Sequence, residues 1–109
     1  MPQFVLMLRD NGQFPPHWTE AEIHSCIERY QQWMITMGGS GQKLRDNEGR
    51  VVVKKEGGLS ITDGPFAEAR EVIGGFMVIE ADSYEHAIQR CRDSPHLEFG
   101  SIEVRQVEL

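Results

Sequence analysis

The sequence predicts an α+β fold: an antiparallel sheet with two helices on one face. Three observations carry that expectation. Gln3–Leu8 (QFVLML) and Val72–Ala81 (VIGGFMVIEA) are apolar on both alternations, the pattern of strands inside a sheet. The stretch after Thr19 repeats apolar residues at helical spacing. The order reads strand, helix, strands, strand, helix, strand, which is β-α-β-β-α-β with an extra hairpin, a ferredoxin-like pattern.

Each element has a local reason. Gln3–Leu8 places Phe4, Leu6 and Leu8 on one side and Val5 and Met7 on the other. Asp10-Asn11-Gly12 is turn chemistry, and Pro15-Pro16 ends regular structure before the next element. Thr19 with Glu22 three residues on forms a capping box, in which side chains satisfy free N–H groups of the first helical turn. Ile23, Ile27, Tyr30, Met34 and Met37 then step by 4, 3, 4 and 3 as one stripe, widened by Cys26 and Trp33. Gly38-Gly39 stops this helix through a left-handed cap.

Gln42–Arg45 begins an extended segment, followed by a turn at Asp46-Asn47-Glu48-Gly49. Arg50–Lys55 and Leu59–Thr62 flank Glu56-Gly57-Gly58, a hairpin signal. Gly74-Gly75 inside the Val72–Ala81 strand predicts a bulge or a close backbone approach. Ser83 caps a second helix with the stripe Tyr84, Ala87, Ile88 and Cys91, closed by Pro95. Ser101–Val107 is a final alternating strand, Ile102 and Val104 on one face, Glu103 and Arg105 on the other.

Composition narrows the function. The 109 residues suit a single domain. Net charge −6 argues against nucleic acid or an anionic membrane as the main partner. The charge is uneven: residues 1–55 hold seven basic and six acidic side chains, net +1, and residues 56–109 hold four and eleven, net −7. The longest apolar run, Phe4–Leu8, is far too short to span a bilayer. Met1-Pro2-Gln3 opens no basic region followed by an apolar core. Cys26 and Cys91 stand alone, outside any C-x-x-C pattern. A cytoplasmic location with reduced thiols is therefore expected. No metal-ligand spacing and no phosphate-binding glycine loop occur, and no cofactor is expected.

The faces imply an assembly. Two helices cover one side of the sheet, yet two strands are apolar on both sides. The uncovered side would expose Val5, Met7 and one alternation of Val72–Ala81, an apolar patch unusual for a monomer. A second copy laid sheet against sheet would cover it, so a homodimer through the open face is expected.

The run Asp63-Gly64-Pro65-Phe66-Ala67-Glu68-Ala69-Arg70-Glu71-Val72-Ile73-Gly74-Gly75-Phe76 strongly resembles the signature of the YCII-related (DGPF-domain) family. The likeness continues through Glu80-Ala81-Asp82-Ser83, Ala87, Ser94-Pro95 and Ile102-Glu103-Val104-Arg105, nearly the whole chain. It implies a ferredoxin-like fold, assembly as a dimeric α/β barrel, and a cleft proposed as an active site in a family whose members mostly lack an established reaction. Arg70 stands where the family usually has Lys, and Gln106 where it has Pro. Arginine keeps the charge but cannot serve as a neutral amine base.

The residues leave two functional readings open. In the first, the protein is a cofactor-independent lyase or isomerase moving a proton on a small cyclic or aromatic acid. Asp63 and His96 form the acid/base pair, and Arg70 or Arg105 holds the anion. Glu68 joins the same polar group, and Phe66 lines the cleft or plugs the core. In the second, the protein is a non-catalytic dimeric module that binds a small metabolite or a partner protein. There Asp63 is an Asx-type turn residue, and Glu68, Arg70, Glu71, Glu103 and Arg105 form an ion-pair network. His24 and His86 read as surface residues. His17 lies in a Pro15–Trp18 segment placed to lid a pocket, and His96 is the histidine best placed to meet a cleft.

Overall fold

Four strands and two helices build the body. The computed structural model describes residues 1–45, 48–63 and 72–108. The elements run β1 (Gln3–Asp10), α1 (Glu20–Met37), β2 (Ser40–Lys43), β3 (Arg50–Lys55), β4 (Gly58–Asp63), β5 (Val72–Glu80), α2 (Tyr84–Cys91), a 3₁₀ helix (Pro95–Glu98) and β6 (Ser101–Gln106). The main sheet has the order β2-β5-β1-β6, and every pairing in it is antiparallel. This α+β arrangement is compatible with the ferredoxin-like expectation. The hairpin β3–β4 forms a separate two-stranded sheet.

Alternation along β1 decides where the core lies. Phe4, Leu6 and Leu8 are buried on the helix side with Met77 and Ile79 of β5, and Trp33, Met37, Ala87 and Cys91 close over them. Cross-strand pairing puts Val5 opposite Val78, Met7 opposite Phe76 and Arg9 opposite Ile73 on the other side of the sheet. There Phe76 is 36% and Ile73 39% exposed. Two helices cannot roof both faces, and among the described residues neither helix covers these two side chains.

The paired glycines bring both of their expected consequences. The β1–β5 register slips between Leu8 and Arg9, so that Gly75 faces Leu8 and Ile73 faces Arg9, leaving Gly74 as the extra residue of a bulge. A Cβ on Gly74 would stand 2.8 Å from Asp10 Oδ2, and one on Gly75 would stand 3.0 Å from the Gln42 carbonyl oxygen. These are close approaches that only glycine accommodates without movement.

Helix α1 begins as predicted: the Thr19 hydroxyl accepts from the Glu22 N–H at 3.1 Å, and Gly38 caps the end at φ +68°. Its buried line differs from the predicted stripe. Cys26, Trp33 and Met37 are buried, Tyr30 is half-buried and Ile27 is 42% exposed. The line 26, 30, 33, 37 keeps Tyr30 and Met37 of that stripe and takes its widening residues Cys26 and Trp33 in place of Ile27 and of Met34, which packs partly buried against the core. Trp33 thus joins the core on the sheet, while the buried Cys26 and the more exposed Ile27 border a cavity.

A further difference is local. Pro95 does not close α2, which ends at Cys91, but opens the 3₁₀ helix, with the Ser94 hydroxyl accepting from the His96 N–H. His96 therefore lies in a short helix and not in a loop. His86 is at the surface, as the sequence predicts, its side chain 38% exposed; its Nδ1 accepts the Asp82 N–H at 2.9 Å and its backbone N–H donates to the Ser83 hydroxyl, together capping α2.

Candidate functional site

A cavity of about 470 Å³ lies between α1 and the helix side of the sheet, where β1 ends and β5 begins. Leu8 and Asp10 of β1, Gly74 and Gly75 of β5, and Gln42 and Lys43 of β2 form its sheet wall. Cys26, Ile27, Tyr30, Gln31 and Met34 of α1 form the opposite wall. The segment Gly12–Phe14 and the 3₁₀ region, through His96 and Phe99, close its end. Phe14 stacks on Trp18 at 5.9 Å and meets Phe99 at 5.3 Å, which ties the first loop to the last. The Pro15–Trp18 segment therefore borders the cavity through Trp18 packing on Phe14. This combination of an apolar surround and few polar groups is typical of small-molecule sites.

The polar groups are ordered by one hydrogen-bond chain. His96 is 2% exposed, and its Nε2 lies 2.8 Å from the Arg9 carbonyl oxygen. A carbonyl only accepts, so Nε2 carries the proton, and in the neutral ring Nδ1 is left as an acceptor. The Tyr30 hydroxyl lies 3.4 Å from that Nδ1 and donates to it. The Tyr30 and Phe99 rings meet the imidazole edge-on at 6.0 and 5.0 Å.

Asp10 completes the group. Its Oδ1 accepts from the Gly12 N–H at 2.6 Å, and its Oδ2 is directed at the Gly74 backbone. Burial pushes the Tyr30 phenol well above its usual range, and the nearby Asp10 charge raises it further. Tyr30 thus stays protonated at any physiological pH. Cys26, also on the wall, has its thiol raised by burial, with Arg29 acting in the opposite direction. It behaves there as a small apolar residue.

The residues expected from the sequence are spread over the molecule. His96 is in the cavity wall. Asp63 ends β4, its side chain 92% exposed and 3.5 Å from Arg50 Nη1, and it is not among the residues lining the cavity. Arg105 pairs with Val5 and so stands on the open face of the sheet. Glu103, on that same face, pairs with Arg9 at 2.9 Å. Phe66, Glu68 and Arg70 lie outside the described residues. Among the described residues, His96 and Asp63 are not brought together. No group of three or more His, Cys, Asp or Glu among them is placed to hold a metal ion. No helix among them is long and apolar enough to cross a membrane.

Asp10 and Tyr30 were not singled out as functional from the sequence. Asp10 reads as the start of a turn and Tyr30 as one member of a helical stripe. A signal was present in each. A tyrosine on a buried stripe needs a partner for its hydroxyl, and an aspartate two residues after Leu8 falls on the buried side of β1.

The fold and cavity together define a small α+β protein with a ligand-sized chamber between its first helix and its sheet. The chain belongs to the YCII-related domain family, which matches residues 19–109. No curated protein matches it.

Proposed function

We propose that the protein binds a small cyclic molecule in this cavity and catalyses an isomerase-type proton transfer on it, with Asp10 carrying the proton. The observation that supports this reading is the chain from Tyr30 through His96 to the Arg9 carbonyl, set in the same chamber as the Asp10 carboxylate. In a tautomerisation, Asp10 accepts the proton of an enolic hydroxyl as the oxygen's electron pair forms the carbonyl. The same proton then returns from Asp10 to the ring carbon that the displaced double bond leaves electron-rich. Tyr30, whose own proton goes to His96, accepts from a second donor on the ligand and so orients the ring, and His96 is a positioning residue because both of its ring nitrogens are engaged within the protein.

That last fact also favours the second reading, a non-catalytic module, since a fully engaged imidazole takes no part in chemistry. The two separate on one experiment. Solvent deuterium is incorporated into a bound enolisable ring ketone that also carries a hydroxyl if Asp10 moves protons, and Asp10→Asn abolishes it while the variant still binds. Binding without any exchange in the wild type would favour the module.

We further propose that two copies associate through the open sheet face. Val5, Met7, Ile73, Phe76 and Val78 form its apolar centre, and the Arg9–Glu103 ion pair lies beside them. Sedimentation of the native chain as a monomer at micromolar concentration would refute the association.

A further inference from the structure

The geometry points to a ligand class: an uncharged ring compound that presents a hydroxyl or N–H donor, not a carboxylate. The inference rests on the cavity being the binding site, and it follows from the direction of the hydrogen bonds there. The Arg9 carbonyl fixes the His96 proton on Nε2, which leaves Nδ1 to accept the Tyr30 proton. With its proton committed to His96, the Tyr30 oxygen turns lone pairs toward the chamber. Asp10 is acceptor-only when ionised, and one N–H, from Gly12, occupies part of its capacity. The two groups thus both ask for a donor. A ligand that supplies none would leave them unpaired in an apolar surround, which is the arrangement that discriminates most strongly.

An anion meets the opposite situation. Its charge would sit beside Asp10, an unfavourable like-charge contact at low dielectric. Among the described lining residues the cation is Lys43, whose ammonium donates to the Leu44 carbonyl at 2.6 Å. Arg105 is on the other face of the sheet, so no described arginine offers the two-pronged grip that selects carboxylates. The body of the ligand is set by Leu8, Phe14, Met34 and Phe99, which suit a flat ring system.

Three probes of one shape test this: 2-naphthol, 2-methoxynaphthalene and 2-naphthoate, titrated against the intact protein with Trp18 and Trp33 fluorescence as the readout. The expected order is naphthol at least tenfold tighter than the methoxy compound, with naphthoate weaker than naphthol. Asp10→Asn should weaken naphthol about tenfold, the step for one lost hydrogen bond, and Tyr30→Phe by less, because the single naphthol proton goes to the charged acceptor; both should leave the methoxy compound within twofold. Naphthoate binding tightest, or naphthol indifferent to both substitutions, overturns the donor assignment while leaving the cavity as the site. If none of the three binds, the cavity reading falls together with it.

Discussion

Replacing Gly74 by alanine should damage the site far more than the fold. The new Cβ would stand 2.8 Å from Asp10 Oδ2 and 3.6 Å from its Cγ. A carbon atom needs about 3.5 Å from a non-bonded neighbour, so the carboxylate must retreat by roughly half an ångström or more. Asp10 is a flexible side-chain end, and the movement takes it off the 2.6 Å bond from the Gly12 N–H. Losing a hydrogen bond to a charged group costs about 1.5–3 kcal/mol, and the reduced freedom of the unfolded chain returns about 0.4–1 kcal/mol. The net loss of about 1–2 kcal/mol lowers Tm by roughly 4–15 °C. Binding of a donor-bearing ring, which depends on that carboxylate, should weaken by roughly 10- to 100-fold. Differential scanning fluorimetry and a fluorescence titration on the same preparation measure both. A variant that keeps full affinity while remaining folded would show that Asp10 does not touch the ligand, and the reasoning from Gly74 to the site would be refuted.

Three other outcomes follow from the contacts. Arg90 donates to the carbonyls of Met37, at the end of α1, and Glu80, at the end of β5; Arg90→Ala should cost about 1–2 kcal/mol in urea unfolding, and Arg90→Lys should recover only part of it because a single ammonium does not fork. Phe76→Asp puts a charge at the centre of the open face, and sedimentation should show monomers with far-ultraviolet dichroism unchanged; a variant as associated as the wild type would remove the open face from the assembly. The folded Tyr30 phenol keeps its proton above pH 10, where the unfolded chain loses it. Stability should therefore fall as pH rises above about 10, and one of the two tyrosines should ionise only as the protein unfolds. Reversible ionisation of both in the native protein would contradict the burial of Tyr30.

Much of the fold was legible because its signals are local or periodic. The caps at Thr19, Gly38 and Ser83 and the Glu56–Gly58 hairpin are decided within a few residues. The two-faced apolar character of β1 and β5 follows from alternation alone. The apolar face of α1 was legible, since Cys26, Tyr30, Trp33, Met34 and Met37 all turn inward; the depth within it was not, because periodicity does not decide that Cys26 and Trp33 lie deeper than Ile23 and Ile27. The site was legible only at His96. Its partners come from Arg9 and Tyr30, separated from it by 87 and 66 positions, and no local pattern connects such residues. Asp63 drew attention through its motif, whereas Asp10 entered the site through the Gly74 bulge, which shifts the β1–β5 register beside it.

The account stands on the cavity beneath α1 being where a ligand binds. Titration of isotopically labelled protein with 2-naphthol, followed by backbone amide and His96 ring resonances, tests that directly. The account predicts shifts concentrated at Gly12, Gly74, Gly75 and the His96 imidazole, with the Nε2-protonated form retained throughout. Shifts confined to Val5, Phe76, Val78 and Arg105 would place binding on the open face of the sheet and contradict it.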